Sequence, residues 1–331
     1  MAVHTALTSE SGYQGPNTGP RAHKRILVAF VAADITNGGI AGVAQGVTRA
    51  AGAIGWKLRI LDGQASVAGR RRAMRQALAL HPGGIILGGF DATEQKAALT
   101  QAAARHIPVV GWHSGTRPGP DRPAGLFTNV TTDPLDVARL AANYAIAQSR
   151  GKAGVVIFYD SEFRIAIAKA RAMKQQIERC SGCSVLSMQD VPIASEQQRM
   201  PPLVASLVRK YGSRLSYLLA INGNYFVGAA AALFTLGKPG SGPPFGVAAG
   251  DGDAAEFGRI RSHNYQTASV AEPLYLQGWQ LVDELNRALA KQPPSGYVAP
   301  PRLITASNVP SGGVFDPSTH YSENYRRIWS R

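Results

Sequence analysis

Short apolar runs and helical periodicities alternate along almost the whole chain. The runs at 26–33 (ILVAFVAA), 56–61 (WKLRIL), 84–89 (GIILGG) and 108–112 (PVVGW) read as strands. Between the first two, Ile40, Val43, Ala44, Val47, Ala51 and Ile54 recur every three or four residues, the spacing of one helix face. Further helices are predicted over Val67–Leu80 and Ala92–His106. The stretch FTNVTTDP near residue 130 reads as a loop, and the alternation then restarts. Helical patterns follow at 135–149, 166–179, 203–212 and 226–237, separated by the strand-like GVVIFY, VLSM, YLLAIN and FGVAAGD. Near the end come a strand-like TASVAEP, a helix over Leu274–Ala290, a proline-rich connection and a last apolar run, RLITASNV. The final PSGGVFDPSTHYSENYRRIWSR is turn-rich but carries Phe315, Tyr321, Tyr325 and Trp329, so it is expected to pack on a surface.

A β-α-β-α repetition demands parallel sheets with helices on both faces. Two halves of similar size imply an α/β protein of two doubly wound, Rossmann-like lobes. In such sheets ligands lie beyond the carboxyl ends of the strands. The residues just after each strand are therefore the functional inventory. They are Asp34, Thr36 and Asn37; Phe90 and Asp91; Trp112 and His113; Asp160, Glu162 and Phe163; Asn222, Asn224 and Tyr225; Asp251 and Asp253; and Glu272. Polar and aromatic groups gathered at strand ends, with bland helix faces elsewhere, suit a small-molecule site. Asn37 and Asp91 read equally well as helix N-caps or turn residues, and Asp251 in GDGD as a turn residue. Trp112 reads either as a flat face for a sugar ring or planar solute, or as a plug.

Composition narrows this picture. With 331 residues, 45% of them hydrophobic, the chain can bury the cores of about two domains. No run of apolar residues is long enough to span a membrane. The polar opening, MAVHTALTSESGYQGPNTGPRAHKR, reads as a flexible leader over residues 1–24. It fits either a native cytosolic start or a mature exported chain whose signal peptide is replaced by a start Met. The net charge of +14 raises nucleic-acid binding. Its one dense basic run, GRRRAMR, sits over Met74, Ala77 and Leu78 at helical spacing, and no zinc-finger or helix-turn-helix pattern accompanies it. No nucleic-acid partner is therefore expected.

The two cysteines, Cys180 and Cys183, form CSGC and rule out a four-cysteine zinc site. A redox CxxC usually opens a helix, whereas this pair follows one. It is read as a local disulfide joining helix end to loop, which fits an oxidising compartment. GGIAGVAQG lacks both a phosphate-loop Lys-Ser/Thr and the GxGxxG register, and no GxSxG elbow or triad order is present. No enzyme activity, cofactor or metal is expected.

Several segments together carry a family resemblance: NGGIAGVAQGVTRAAGAIGWKLRILDGQ, GGIILGGFDATE, ARHIPVVGWHS, YLLAINGNYFVGAAAAL, GVAAGDGD and ASVAEP. In order and spacing the chain, over about residues 25–305, resembles the sugar-type (ribose-binding-like) periplasmic solute-binding proteins of ABC importers. These share their fold with the ligand domains of LacI-type repressors. The resemblance implies the type I periplasmic binding protein fold, with two lobes joined by a three-strand hinge that closes over a solute. The implied partner is an ABC permease in the inner membrane, the implied compartment the periplasm, and the expected state a monomer. The expected lobes are 25–129 plus 273–300, and 130–272 plus 301–331, with crossings near Asn129–Thr131, Glu272–Pro273 and Pro300–Leu303.

Carried over by position, Asn37, Asn222 and Asp251 match polar ligand residues of the family, and Glu272 matches a hinge glutamine. The departures matter. Gly39 and Ile40 stand where the family has stacking aromatics, and Trp112 and His113 replace an Asp-Arg pair that grips hydroxyls. The family's arginine in the first helix of the second lobe falls near Ile167, with Lys169 or Arg164 as substitutes. The expected ligand set is thus Asp34, Asn37, Phe90, Trp112, His113, Asp160, Phe163, Arg164, Asn222, Tyr225, Asp251 and Glu272. The expected ligand is a sugar, deoxy sugar or polyol. The alternatives are a planar or cationic solute, or a LacI-type sensor domain lacking its DNA-binding segment.

Overall fold

The computed structural model describes residues 12–330, arranged as two compact units. One comprises Glu10–Asp133, Pro273–Ala299 and Asp316–Arg331 as far as they are described; the other comprises Pro134–Glu272 and Pro300–Phe315.

In the first unit the chain runs β1 (Leu27–Ala32), α1 (Gly38–Ile54), β2 (Lys57–Asp62), α2 (Val67–Ala79) and β3 (Gly84–Gly88). It continues through a 3-10 turn at Ala92–Gln95 to α3 (Lys96–Ala104), β4 (Val109–Trp112), β5 (Gly119–Asp121) and β6 (Leu126–Val130). The sheet order is β2-β1-β3-β4-β6-β5, parallel except for β5 against β6. The register aligns Ala32 with both Asp62 and Gly88, Gly88 with Trp112, and Trp112 with Val130. The strands therefore end in one row, and the loops that follow them share one edge. The sequence reading of FTNVTTDP as a loop is corrected: its first half is β6, between β4 and the edge strand β5. Threonine, asparagine and valine there are too polar to show a strand period, and pairing on both sides holds them extended.

The second unit repeats the plan with α4 (Pro134–Gln148), β7 (Gly154–Tyr159), α5 (Arg164–Glu178), β8 (Ser184–Asp190), α6 (Glu196–Tyr211) and β9 (Tyr217–Ala220). Then come α7 (Tyr225–Thr235), β10 (Phe245–Ala248), α8 (Ala254–Arg261), β11 (Gln266–Ala271) and β12 (Arg302–Thr305). The order is β12-β11-β10-β9-β7-β8, with β12 antiparallel on β11. Phe158 pairs with Ala220, Ala220 with Ala248, and Ala248 with Ser269, again levelling the strand ends. Val155, Ile157, Leu218, Leu219 and Val247 are fully buried from the sheet, and Met173, Phe226 and Leu233 meet them from the helices. Cys180 and Cys183 form a disulfide just beyond α5.

The chain returns to the first unit as α9 (Leu274–Leu289) and ends there as α10 (Tyr321–Ser330). Two glycines let α9 cross α1 closely. A Cβ on Gly46 would lie 2.5 Å from the Tyr275 carbonyl, and one on Gly278 would lie 2.5 Å from the Val47 nitrogen. Backbone contact of this kind excludes any larger residue at either position.

The two chain ends are both packed on the first unit where they are described. The tail does not follow the second unit throughout. Residues to Phe315 stay with it, but Asp316 onward packs on the first unit. Tyr321, Tyr325, Ile328 and Trp329 fall at i, i+4, i+7 and i+8, forming one buried face of α10. Trp329 stacks on Trp279 of α9 with ring centroids 5.5 Å apart, and Tyr325 stacks on the same indole. The leader is not loose where it is described. The Asn286 side chain bonds the carbonyls of Pro20 and Arg21 and the amide of His23, and the Ala22 amide donates to the Trp329 carbonyl. Residues 1–11 of the expected leader lie outside the described residues. Among the described residues no helix is long and apolar enough to cross a membrane.

Candidate functional site

In the first unit, the turn after β1 is held by its own side chains. Asp34 accepts hydrogen bonds from the Thr36 amide (2.9 Å) and hydroxyl (2.7 Å). Asn37 is the N-cap of α1, accepting from the Ile40 amide at 3.1 Å. Both side chains are half-buried and on the strand-end edge. Asp91 is buried at the cap position of the following 3-10 turn without making a side-chain cap bond. Phe90 is fully buried, with the Arg70 guanidinium 5.9 Å from its ring centroid, and Arg70 in turn pairs with Glu94 at 2.7 Å. That is a core arrangement.

Trp112 and His113 end β4 as a stacked pair, with centroids 3.8 Å apart and planes 12° apart. His113 adopts a positive φ of 51°, which turns its ring back over the indole. Trp112 is 1% exposed and donates from Nε1 to Gln277 Oε1 at 2.8 Å. Gln277 itself donates to Thr132 Oγ1 at 3.2 Å. Gln277 carries no signal in the sequence because it lies within the apolar periodicity of α9.

In the second unit the expected residues separate into framework and pole. Asp160 holds two loops together: its carboxylate accepts from the Glu162 amide and the Ile193 amide, both at 2.8 Å. Burial raises its pKa, and those two amides oppose the rise. Tyr225, expected in the ligand set, is packed in the core. It is fully buried, stacks on Phe158, and donates its hydroxyl to the Val191 carbonyl at 2.9 Å. Burial pushes that hydroxyl well above its ordinary pKa. Its place at the start of α7 turns it inward, a direction that position after a strand does not reveal. Phe163 is the half-buried residue before α5, packed at the edge of the core, and Arg164 is exposed.

Of the two acids in GDGD, one is structural. Asp253 caps α8 by accepting from the Glu256 amide at 2.8 Å. Glu256 reaches back to accept from the Gly252 amide and from Gln266 Nε2, both at 2.9 Å. This reciprocal arrangement satisfies the loop's own donors. It leaves Asp251, 7% exposed, to face the pole.

Around Asp251 the strand ends of β9, β10 and β11 bring together Asn222, Asp251 and Glu272. The Glu272 amide donates to the Asp251 carbonyl at 3.1 Å. Lys169, from α5, lies 3.6 Å from Glu272 Oε1, and both side chains are buried. Gly250 makes this possible. Its φ of +107° suits glycine, and a Cβ there would lie 2.7 Å from Lys169 Nζ and 3.2 Å from Glu272 Oε1. Burial pushes the Asp251 carboxyl up to about 8; Lys169 opposes the rise, while Glu272, Glu256 and Asp253 add to it. Of the two substitutes weighed for the family's arginine, Lys169 is the one beside the acids. The available signal was a lone lysine inside the stripe Ile165, Ala166, Ala170, Met173 and Ile177, all buried. An amine on such a stripe needs a counter-charge.

Comparison with known proteins fits this geometry. Residues 28–293 match a family described as the periplasmic binding protein domain. No curated protein matches the chain by sequence. Among solved structures, an ABC transporter solute-binding protein from Agrobacterium vitis, bound with alpha-D-tagatopyranose, is similar at a TM-score of 0.75 and 18% identity. The match covers 86% of this chain and 96% of that one. The binding protein of the arabinose ABC transporter from Shewanella sp. ANA-3, bound to L-arabinofuranose, gives 0.72 at 17% identity, covering 91% and 95% of the two chains. A solute-binding protein from Bacillus halodurans C-125 with bound myo-inositol gives 0.72 at 15%, covering 88% and 96%. At these identities the likeness establishes the type I periplasmic binding fold.

Proposed function

The chain belongs to the periplasmic binding protein domain family, and from that premise we propose that it is the solute-binding component of an ABC importer. It captures a small carbohydrate-like ligand, a sugar, deoxy sugar or polyol, by hinge closure and presents it to an inner-membrane permease. It works as a monomer in the periplasm and catalyses no reaction. The observation that carries this reading is the polar pole of the second unit. There Asn222, Asp251, Lys169 and Glu272 gather at the carboxyl ends of parallel strands, with Asp253 and Glu256 consumed by the loop itself. The structural relatives whose bound molecules are tagatose, arabinose and myo-inositol lend the ligand class its support. A planar solute stacked on Trp112 is disfavoured, because one face of that indole carries His113 and its edge is bonded to Gln277.

In this reading Asp251 and Asn222 exchange hydrogen bonds with ligand hydroxyls. The test is isothermal calorimetry of the purified protein against D-tagatose, L-arabinose, D-galactose and myo-inositol. Saturable binding to at least one, lost in Asp251→Ala, supports the proposal. Silence across the panel, with binding among aromatic metabolites or amines, overturns it.

A further inference from the structure

The acidic pole of the second unit carries its own counter-ion, and we infer that this selects an uncharged, hydroxyl-bearing solute against its amino counterpart. Lys169 is the specificity-determining residue. The inference rests on the solute-binding reading above and adds a discrimination which that reading does not contain.

Asp251 and Glu272 by themselves would make a cation site. The side chains of two buried acidic residues, whose main chains share one hydrogen bond, attract an ammonium group strongly in a medium of low polarity. Lys169 occupies that role from within the protein. Its ammonium lies 3.6 Å from Glu272, held by a helix whose neighbouring residues are anchored in the core. Gly250 provides the room, since any side chain there would displace the ammonium or the carboxylate. The high pKa of Asp251 points the same way, because near neutral pH a largely protonated Asp251 leaves the cluster close to charge balance. A ligand hydroxyl meets Asp251 as donor or acceptor without disturbing that balance. A ligand ammonium meets a second ammonium already in place, and both are stripped of water.

The test pairs neutral and amino ligands of one skeleton, D-galactose with D-galactosamine and D-glucose with D-glucosamine. Binding is measured by calorimetry at about pH 6, where the amino sugars are charged, on wild type, Lys169→Met and Lys169→Met/Glu272→Gln. Wild type is expected to bind a neutral sugar at least tenfold more tightly than its amine. Lys169→Met should narrow or invert that ratio, and the double variant should restore it. Thermal melts provide a readout independent of ligand: Lys169→Met lowers the melting temperature and the added Glu272→Gln recovers most of the loss. A wild type that binds amine and sugar equally, a Lys169→Met variant with the wild-type ratio, or a double variant no more stable than the single one overturns the inference. In each of those cases sugar binding itself still stands. If wild type binds no sugar of either kind, the solute-binding reading fails first, and the inference falls with it.

Discussion

Asp283 in the first unit and Glu272 in the second are both fully buried carboxylates beside a basic side chain, but their surroundings differ. Asp283 accepts from Arg287 Nε at 2.7 Å through one oxygen and from Trp329 Nε1 at 2.9 Å through the other. Arg287 continues to the Thr18 carbonyl, so the group ties α9, α10 and the leader into one network. Lys169 and Glu272 stand 3.6 Å apart, beyond hydrogen-bonding distance. Asp251 beside them is displaced to about 8 by burial. A charge pair closed by directed hydrogen bonds fastens elements together, whereas one held at longer range next to a displaced carboxyl is poised to respond to a third group. Strongly perturbed groups gathered at strand ends are where function is sought.

The comparison breaks most sharply at the fastened pair. Asp283→Leu leaves the Arg287 charge buried and uncompensated, and an unfolding cost of about 3–5 kcal/mol is expected in urea titrations. Trp329→Ala removes a stacked indole and one of the two donors to Asp283, with an expected cost of about 3–5 kcal/mol. Because they share a network, the double variant should cost clearly less than the sum. Additive losses would show that α10 is held by its aromatic face alone. Neither substitution touches the second unit's pole, so affinity for a sugar, measured well below the melting transition, should be unchanged.

At the pole the expectation reverses. Asp251→Ala should leave the melting temperature near that of wild type while weakening binding by about tenfold or more. That is the loss expected from one unsatisfied hydroxyl contact of about 1–3 kcal/mol. Equal affinity in calorimetry would remove Asp251 from the ligand set.

The pH dependence sharpens the contrast on a smaller scale. Asp251 is pushed to about 8, and Glu256 and Glu284 to about 7, each chiefly by burial. All three lie above the ordinary carboxylate range, so between about pH 4 and 8 the folded chain binds more protons than the unfolded one. Their contribution to stability is complete on the acidic side and is lost as pH rises through about 7 to 8. Melting temperatures should therefore fall between about pH 4 and 8 and level off above that, and Asp251→Asn should remove the part of the fall between about pH 7 and 8. An unchanged slope in Asp251→Asn would assign the fall to Glu256 and Glu284.

The smallest effect is expected at Asn37. Asn37→Ala removes the cap of α1 and should cost about 1 kcal/mol in stability. A large loss of affinity with no loss of stability would instead assign Asn37 to the ligand.

Much of this architecture is written in local pattern. The apolar run before Ala33, the three-and-four spacing of Ile40 to Ile54, and their repetition beyond residue 134 specify strands and helices. Near-continuous hydrophobic strands also require helices on both faces of each sheet. The strand-end rule points to Asn222, Asp251 and Glu272 from the sequence alone, because parallel strands in register must end together. β6 escaped that reading because it has no apolar period of its own and is held extended by its neighbours. The C-terminal face of tyrosines and tryptophan was visible as something that must pack, but its partner was not. Trp279 and Asp283 lie well over forty residues before Trp329, and nothing local links them to α10.

The sequence by itself determined most of the helices, the strands other than β5 and β6, and which polar groups stand where parallel strands stop, since these depend on spacing along the chain. Tertiary structure alone decided direction and partnership. Tyr225 turns inward to Val191, Asp253 serves its own helix while Asp251 faces the pole, and Lys169 rather than Arg164 reaches Glu272. These choices rest on distances of three to four ångströms between elements remote in sequence. Burial and charge become costly or favourable only once those elements have met.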